Sequence, residues 1–473
     1  MTASARSIWQ DRRVLDGLSN AQWAGASFIV LGVALIVAML VRKAVPVLGK
    51  LYIPSSVIAG FLLILLGPQV LGALTGGWSL LADPIVAVLH TLPGLLINIV
   101  FAGIMLGKKL PSVGAIWKDA APHVLLGASY CFGQLALGGL AVALILGPLF
   151  GLPDIAGSII EMSFAGGHGT VAGVGEFFDQ AGHPDMVDVG LALATVSMIT
   201  GTLGGFALVN WALRSPRVDV ARKHTTHTST ASSIGEIPPN QGDQAGDVGL
   251  NAISRAFGAI TVAIIVGWGI QTGLAAIANL FGSAVFDHFP LFPFTLIGGF
   301  GVQLVLSGTK HESLVERTTV NSVTGLALDL LVAAAIGTLS LAAVGANWPS
   351  ILILTVLAFA WSVVGMLWLG PRFFTAHWFD RAIPNFGQSQ GNVATGFVLA
   401  EMTDPDHTTG AAQGFGYRQL FLAPLLGGGL LTALSVPIVN QIGSLWFGLA
   451  TLVLTGAVIC WGVARTRRAR AAG

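Results

Sequence analysis

SFAGGHGTVAG at residues 163–173 and NFGQSQGNVATG at residues 385–396 are two glycine-rich stretches set in a chain that is otherwise almost wholly apolar. Phe164, Gly169, Val171 and Ala172 recur 222 positions later as Phe386, Gly391, Val393 and Ala394. Matching glycine-interrupted apolar segments in two halves of one chain point to a midplane solute site, because broken helices free backbone groups to meet solute and ion. Glycine runs also permit simple close packing of helices. Their duplication favours the binding reading.

The rest of the composition sets the solvent. Of 473 residues, 54% are hydrophobic and only 10% charged, and the mean hydropathy is +0.78, which excludes a water-soluble globule. Apolar runs of helical spanning length fall at about 21–42, 54–74, 85–107, 122–150 and 187–213, then 252–280, 291–307, 322–344, 349–370 and 408–433, with a last one at 440–463. No short alternating segments suggest a membrane barrel. Cys131 and Cys460 both lie inside apolar runs and supply no disulfide or metal framework. The first apolar run is full length and lacks a cleavage site, so a retained first helix is expected.

These runs divide the chain into a polar tail at 1–20, a first transmembrane repeat at 21–213 with a re-entrant hairpin near 155–178, and a polar linker at 214–250. A second repeat follows at 251–433 with its hairpin near 382–402, then an extra helix and basic tail at 434–473. The linker carries HTTHTSTASS and IPPNQGDQ. Further echoes support the repeat: Pro54, Gly60 and Phe61 match Pro293, Gly299 and Phe300, and Gly94 and Asn98 match Gly325 and Asp329. Five crossings and one returning hairpin per half put the halves in opposite orientations. The expected fold is an all-α polytopic membrane protein of two inverted repeats plus one helix.

Charge tests this layout. Arg42, Lys43, Lys50, Lys108, Lys109, Lys118, Arg214, Arg217, Arg222, Lys223, Lys310, Arg317, Arg372, Arg381 and the run Arg465–Arg470 fall on one side, while the opposite loops carry essentially no Lys or Arg. That basic side is cytoplasmic by the positive-inside rule. The C-terminus is then cytoplasmic and the N-terminus outside, where Arg6, Arg12 and Arg13 are discordant. The net charge of +1 argues topology, not a nucleic-acid partner.

The first-half motif, the following DVGLALATVSMITGTLGG at 188–205 and YIPSSVIAG at 52–60 resemble the bacterial sodium/glutamate symporter family. That resemblance implies a dimeric inverted-repeat carrier of the cytoplasmic membrane, moving an acidic amino acid with sodium through a sliding transport unit. No cofactor is implied beyond sodium as coupling ion. Gln388, Ser389, Gln390 and Asn392 depart from the family stretch, which is richer in Gly, Ala, Thr and Pro, and Asp329 and Arg418 are unusual.

Candidate residues follow from the chemistry. Gly167, His168, Gly169, Thr170, Gln388, Ser389, Gln390, Gly391, Asn392 and Arg418 are expected to meet an anionic solute, and Thr195, Asp329, Asn98, Gly166 and Gly387 a sodium ion. Half-helix N-termini favour a carboxylate, and freed carbonyls suit a hard cation. Each of these has a plainer alternative. Thr195 can bond back to its own helix, the Gln-Ser-Gln-Asn run can satisfy its own backbone, and Asp329 and Arg418 can neutralise each other. Glu161, Glu176 and Asp179 are expected at the interface, and Asp404, Asp406 and His407 in EMTDPDH as turn chemistry. Proton coupling of another polar solute and an ion channel are the rival functions. An intramembrane enzyme finds no HExxH motif and no serine with an evident base.

Overall fold

The computed structural model describes residues 19–50, 53–108, 113–221, 250–281 and 291–471. The basic residues of the N-terminal tail, most of the linker and the loop at 286–288 lie outside the described residues. Among the described residues the structure is helical, with no strand.

Nine helices among the described residues are long and apolar enough to cross a membrane. The first half contributes α1 (Asn20–Ala44), α2 (Ser55–Leu66, extended to Thr75), α3 (Asp83–Gly103) and α4 (Val113–Ala141, extended to Phe150). Two short helices follow, α5 (Ile159–Phe164) and α6 (His168–Gly173), and then the long α7 (Asp185–Arg214). The second half has α8 (Leu250–Leu280), α9 (Phe292–Gly308), α10 (Arg317–Gly337) and α11 (Trp348–Val364, extended to Phe373). It continues with α12 (Trp378–Ser389), α13 (Val393–Thr403), α14 (Ala411–Phe421) and α15 (Leu430–Ile442), and α16 (Ser444–Ala471) ends the chain.

Local chemistry explains several boundaries. Ser19 and Gln22 form a reciprocal capping box at the start of α1. Proline sits in the first turn of α3, α9 and α11, where its missing N–H has no partner to lose. The fourth long helix of each half widens into a π turn, at Val142–Leu146 and at Gly365–Leu369. Each precedes a Gly-Pro pair, Gly147-Pro148 and Gly370-Pro371. The proline ring clashes with the carbonyl four residues back, and the widened turn relieves that clash.

Two expected crossings differ. The run at 291–307 forms α9, whose 17 residues span only about 26 Å at 1.5 Å per residue. The run at 408–433 is not one helix but α14 and α15, parted at Leu422–Gly429. Pro424 ends helical pairing there, and Gly427 and Gly428 adopt φ of +68° and +100°, which a continuous helix forbids.

Helix contacts sort the chain into two bundles. α1, α2, α3, α8, α9 and α10 pack together, and α4, α5, α7 and α11–α16 form the other. Within the first bundle, contacts run between halves: a Cβ on Gly60 of α2 would fall 2.5 Å from Ile336 Cβ in α10, and one on Gly299 of α9 would fall 2.2 Å from Ala102 O in α3. Only glycine permits such crossings. In the second bundle α16 lies along α4 so closely that a Cβ on Gly139 would sit 2.8 Å from Gly448 Cα. Its far end is held by Thr466 Oγ1 donating to Phe373 O at 3.1 Å and by Arg470 Nη2 donating to Pro371 O at 2.9 Å. α6 packs against both α3 and α10, joining the second bundle to the first.

Candidate functional site

The two glycine motifs are where helices break. α5 stops after Phe164 and α6 begins at His168, with Gly167 between them at φ +78°, a conformation open to glycine without strain. The second break lies at Gln390–Asn392, between α12 and α13. Asn392 Oδ1 caps α13, accepting from Thr395 N at 2.9 Å. A Cβ on Gly167 would lie 3.9 Å from Gly391 O, so the two tips face each other. The glycine-rich turn between α14 and α15 closes around the first tip, since a Cβ on Gly427 would lie 3.6 Å from Ala165 O and 3.8 Å from Gln388 Nε2. Three breaks therefore converge where the sequence predicted two. LGGG at 426–429 is the signal that could have announced the third.

Arg418 of α14 stands beside this meeting point with 2% of its surface exposed. Its Nη1 donates to Gln388 Oε1, which also accepts from Gln419 Nε2 at 2.7 Å. Its Nε has no hydrogen-bond acceptor. Among the described residues no carboxylate lies within ion-pair distance of Arg418, and the pair His407–Glu401 is made by exposed side chains. Gly127 of α4 makes the room, because a Cβ there would fall 2.2 Å from Arg418 Nε. A buried ion without a counter-charge costs several kcal/mol, so this guanidinium is left short of an anionic partner.

Asp329 is elsewhere. It lies exposed on α10, beside Ser56 of α2. The neutralising pair of Asp329 with Arg418 that the sequence allowed is not formed, because the two belong to different bundles. Asn98 of α3 donates to Gly94 O at 2.9 Å and Leu95 O at 3.3 Å in its own helix, leaving Oδ1 without a partner.

The other candidates divide by their partners. Ser389 Oγ donates to Phe386 O at 2.9 Å and lies 3.2 Å from Ser362 Oγ, while its carbonyl accepts from Gln134 Nε2 at 2.8 Å. Gln390 Nε2 donates to Ala358 O at 2.9 Å and Ser362 Oγ at 2.8 Å, and its Oε1 accepts from Thr200 at 3.4 Å. These bonds tie the second segment to α4, α7 and α11, so both side chains brace the tip instead of facing the gap. Gln388 alone of the run joins Arg418. Thr170 Oγ1 bonds back to Gly166 O at 3.0 Å. His168 Nε2 lies 2.9 Å from Thr195 Oγ1, whose proton goes to Leu191 O at 3.0 Å. That direction assigns the imidazole proton to Nε2 and leaves Nδ1 as an acceptor.

Glu176 and Asp179 are exposed, in keeping with an interfacial place, but Glu161 is fully buried in α5. Its Oε1 accepts from Gly427 N at 2.7 Å and Thr432 Oγ1 at 3.0 Å. The sequence did not announce this, because the donors lie more than 260 positions away. In EMTDPDH, burial works against the Asp404 charge. Four bonds outweigh it, from Thr408 N and Oγ1 and from Thr409 N and Oγ1, and hold the carboxyl below its ordinary range. That is turn chemistry, and no group of three or more metal-ligating side chains occurs among the described residues.

Residues 23–369 match the model of the sodium/glutamate symporter family. The chain belongs to that family. The match takes in the first glycine motif and its tip, and it ends before Gln388 and Arg418. No curated protein matches the chain. Membership in the symporter family, together with the apolar helices, makes this a multi-pass membrane transporter of a sodium-coupled class.

Proposed function

We propose that this symporter-family protein carries a small organic anion into the cell with sodium, most simply glutamate or a related acidic amino acid, by an elevator movement of its second bundle against its first. The observation that carries the reading is Arg418, buried beside two opposed tips with Nε free and, among the described residues, no carboxylate within ion-pair distance. An incoming carboxylate would complete a two-pronged pair on the guanidinium. Gln388 holds its other edge, and the backbone at Gly166, Gly167, Gly169, Gly387 and Gly391 lets solute approach closely. His168 and Thr170 line the first tip, and Asn392 shapes the second. In this scheme Thr195, Asp329 and Asn98 supply oxygen to sodium.

The inverted repeat, with hairpins entering from opposite faces, is part of the proposal. Reciprocal crossings of Gly60 and Gly299 onto the other half, and the paired π turns ahead of Gly-Pro, support it. The repeat boundaries at 21–213 and 251–433 belong to the same proposal. The basic clusters support a cytoplasmic C-terminus in the inner membrane, and the family supports a homodimer. A channel requires a continuous pore, which two tips in near contact oppose.

Uptake into proteoliposomes under an imposed sodium gradient tests this. Truncating one partner of a buried charge pair costs about 2–5 kcal/mol, so Arg418→Ala should raise the half-saturating anion concentration by roughly 30-fold or more. Arg418→Lys, which lacks the fork, should recover only part of that. Sodium-independent uptake, or equal affinity in Arg418→Ala, refutes the scheme.

A further inference from the structure

Glu161 has a setting that the carrier scheme above does not use. It is fully buried in α5, two residues before the first glycine motif, yet no Lys, Arg or His among the described residues lies within ion-pair distance of it. Its hydrogen bonds have a direction. Gly428 N donates to Thr432 Oγ1 at 3.1 Å, which turns the Thr432 proton toward Glu161 Oε1, and Gly427 N donates to the same oxygen. Oε1 is therefore an acceptor twice over, and no N–H or O–H reaches Oε2.

The neighbours do not supply a counter-charge. From α4 the buried Cys131 thiol lies beside the carboxyl, and the charge of Arg418 acts on that thiol without forming an ion pair with Glu161. α6 brings His168, engaged with Thr195, and the turn before α5 brings Asp154, engaged with Ser444. α7 brings Asp185 and Asp188, of which Asp188 accepts from Ser340 N at 2.9 Å. α11 and α15 carry no titratable side chain.

An ionised carboxylate sealed in this way would hold a naked charge in a low-dielectric interior. Two ligands relieve such a charge, a metal cation or a hydrogen ion. A hard cation needs about six oxygen atoms around it, whereas the groups that face the Glu161 carboxyl, Gly427 N–H, the Thr432 hydroxyl and the adjacent Cys131 thiol, are all hydrogen-bond donors. A hydrogen ion needs one oxygen only.

We infer that Glu161 is a proton-binding site, with the hydrogen ion on Oε2 while the first tip is seated against the Gly427–Gly428 turn, and released to water when tip and turn part. The bond broken and formed is the O–H of the carboxyl, with water as the acceptor. The release step rests on the alternating-access reading above, but the bound hydrogen ion does not. Proton movement would then accompany each transport cycle alongside sodium.

Infrared difference spectroscopy of the purified full-length protein at neutral pH reads the un-ionised carboxyl directly. Wild type should show a carboxylic-acid C=O stretch that is lost in Glu161→Gln. A band of equal intensity in that variant overturns the inference. Should Glu161→Gln fail to fold, Thr432→Ala gives a second reading. It removes one donor from Oε1, so the stretch should move to higher frequency, and an unmoved band overturns the inference equally. In proteoliposomes, the lumenal pH change per solute moved, followed with a trapped dye, should vanish in Glu161→Gln. An unchanged ratio overturns the release step. A wild-type protein that accumulates no solute defeats the transport reading, while the infrared result still decides Glu161.

Discussion

Gly201→Ala tests whether the second tip is fixed from behind. Gly201 lies in α7, and a Cβ there would sit 2.4 Å from Gln390 O and 2.9 Å from Gln390 C. Ordinary contact needs about 1 Å more, and backbone cannot rotate away as a flexible side chain can. Gln390 is held by its bonds to Ala358 O and Ser362 Oγ, at 2.9 and 2.8 Å. To retreat it must lengthen or lose at least one of them, at about 1 kcal/mol each, and overpacking of this kind typically costs about 1–3 kcal/mol. The displacement moves Gly391 relative to Gly167, so the solute should bind more weakly, by roughly tenfold for each 1.4 kcal/mol of lost fit. The control is Gly325→Ala in α10, where a Cβ meets nothing within 4 Å and helix propensity favours alanine by about 1 kcal/mol. Thermal unfolding in detergent and the concentration dependence of uptake measure both effects. A Gly201→Ala protein with wild-type stability and half-saturation refutes the account of the braced tip.

Two further outcomes follow from side chains outside that brace. Asp404→Ala removes an acceptor for four donors and should destabilise the protein by about 3 kcal/mol at neutral pH. Because the folded carboxyl is held low, its contribution is present above the ordinary carboxylate range and is lost as pH falls through the folded value. The stability gap between wild type and variant should therefore shrink in melts below about pH 4. Asp329→Asn keeps the shape of the side chain but loses the charge, and should raise the sodium concentration for half-maximal uptake about tenfold if Asp329 contributes about 1.4 kcal/mol to the ion. Unchanged sodium dependence removes it from the site.

Hydropathy alone revealed the long helices, because a bilayer demands about 20 apolar residues for each crossing. The two glycine motifs were legible as breaks for a different reason: Gly166-Gly167 and Gly391 sit where an apolar run has no other cause to hold so little side chain. The third break was hidden inside the run at 408–433, since glycine hardly lowers hydropathy. Facing was not legible. Asp329 and Arg418 each stand near the centre of an apolar run and looked like natural partners, yet pairing depends on which bundle each helix joins. Ser389 and Gln390 looked like solute ligands beside Gln388, and only the positions of Ser362, Ala358 and Gln134 separate the bracing side chains from the one that joins Arg418.

The backbone contact between Gly139 and Gly448, with the clasp of Thr466 and Arg470 on the end of α11, makes the final helix a passenger welded to the bundle that carries the tips. A fluorophore fused behind Ala471 would then travel with that bundle, while one placed at the start of α1 would stay with the other. The separation between the two dyes would serve as a gauge of the transport stroke, readable in single molecules without touching any residue at the solute gap.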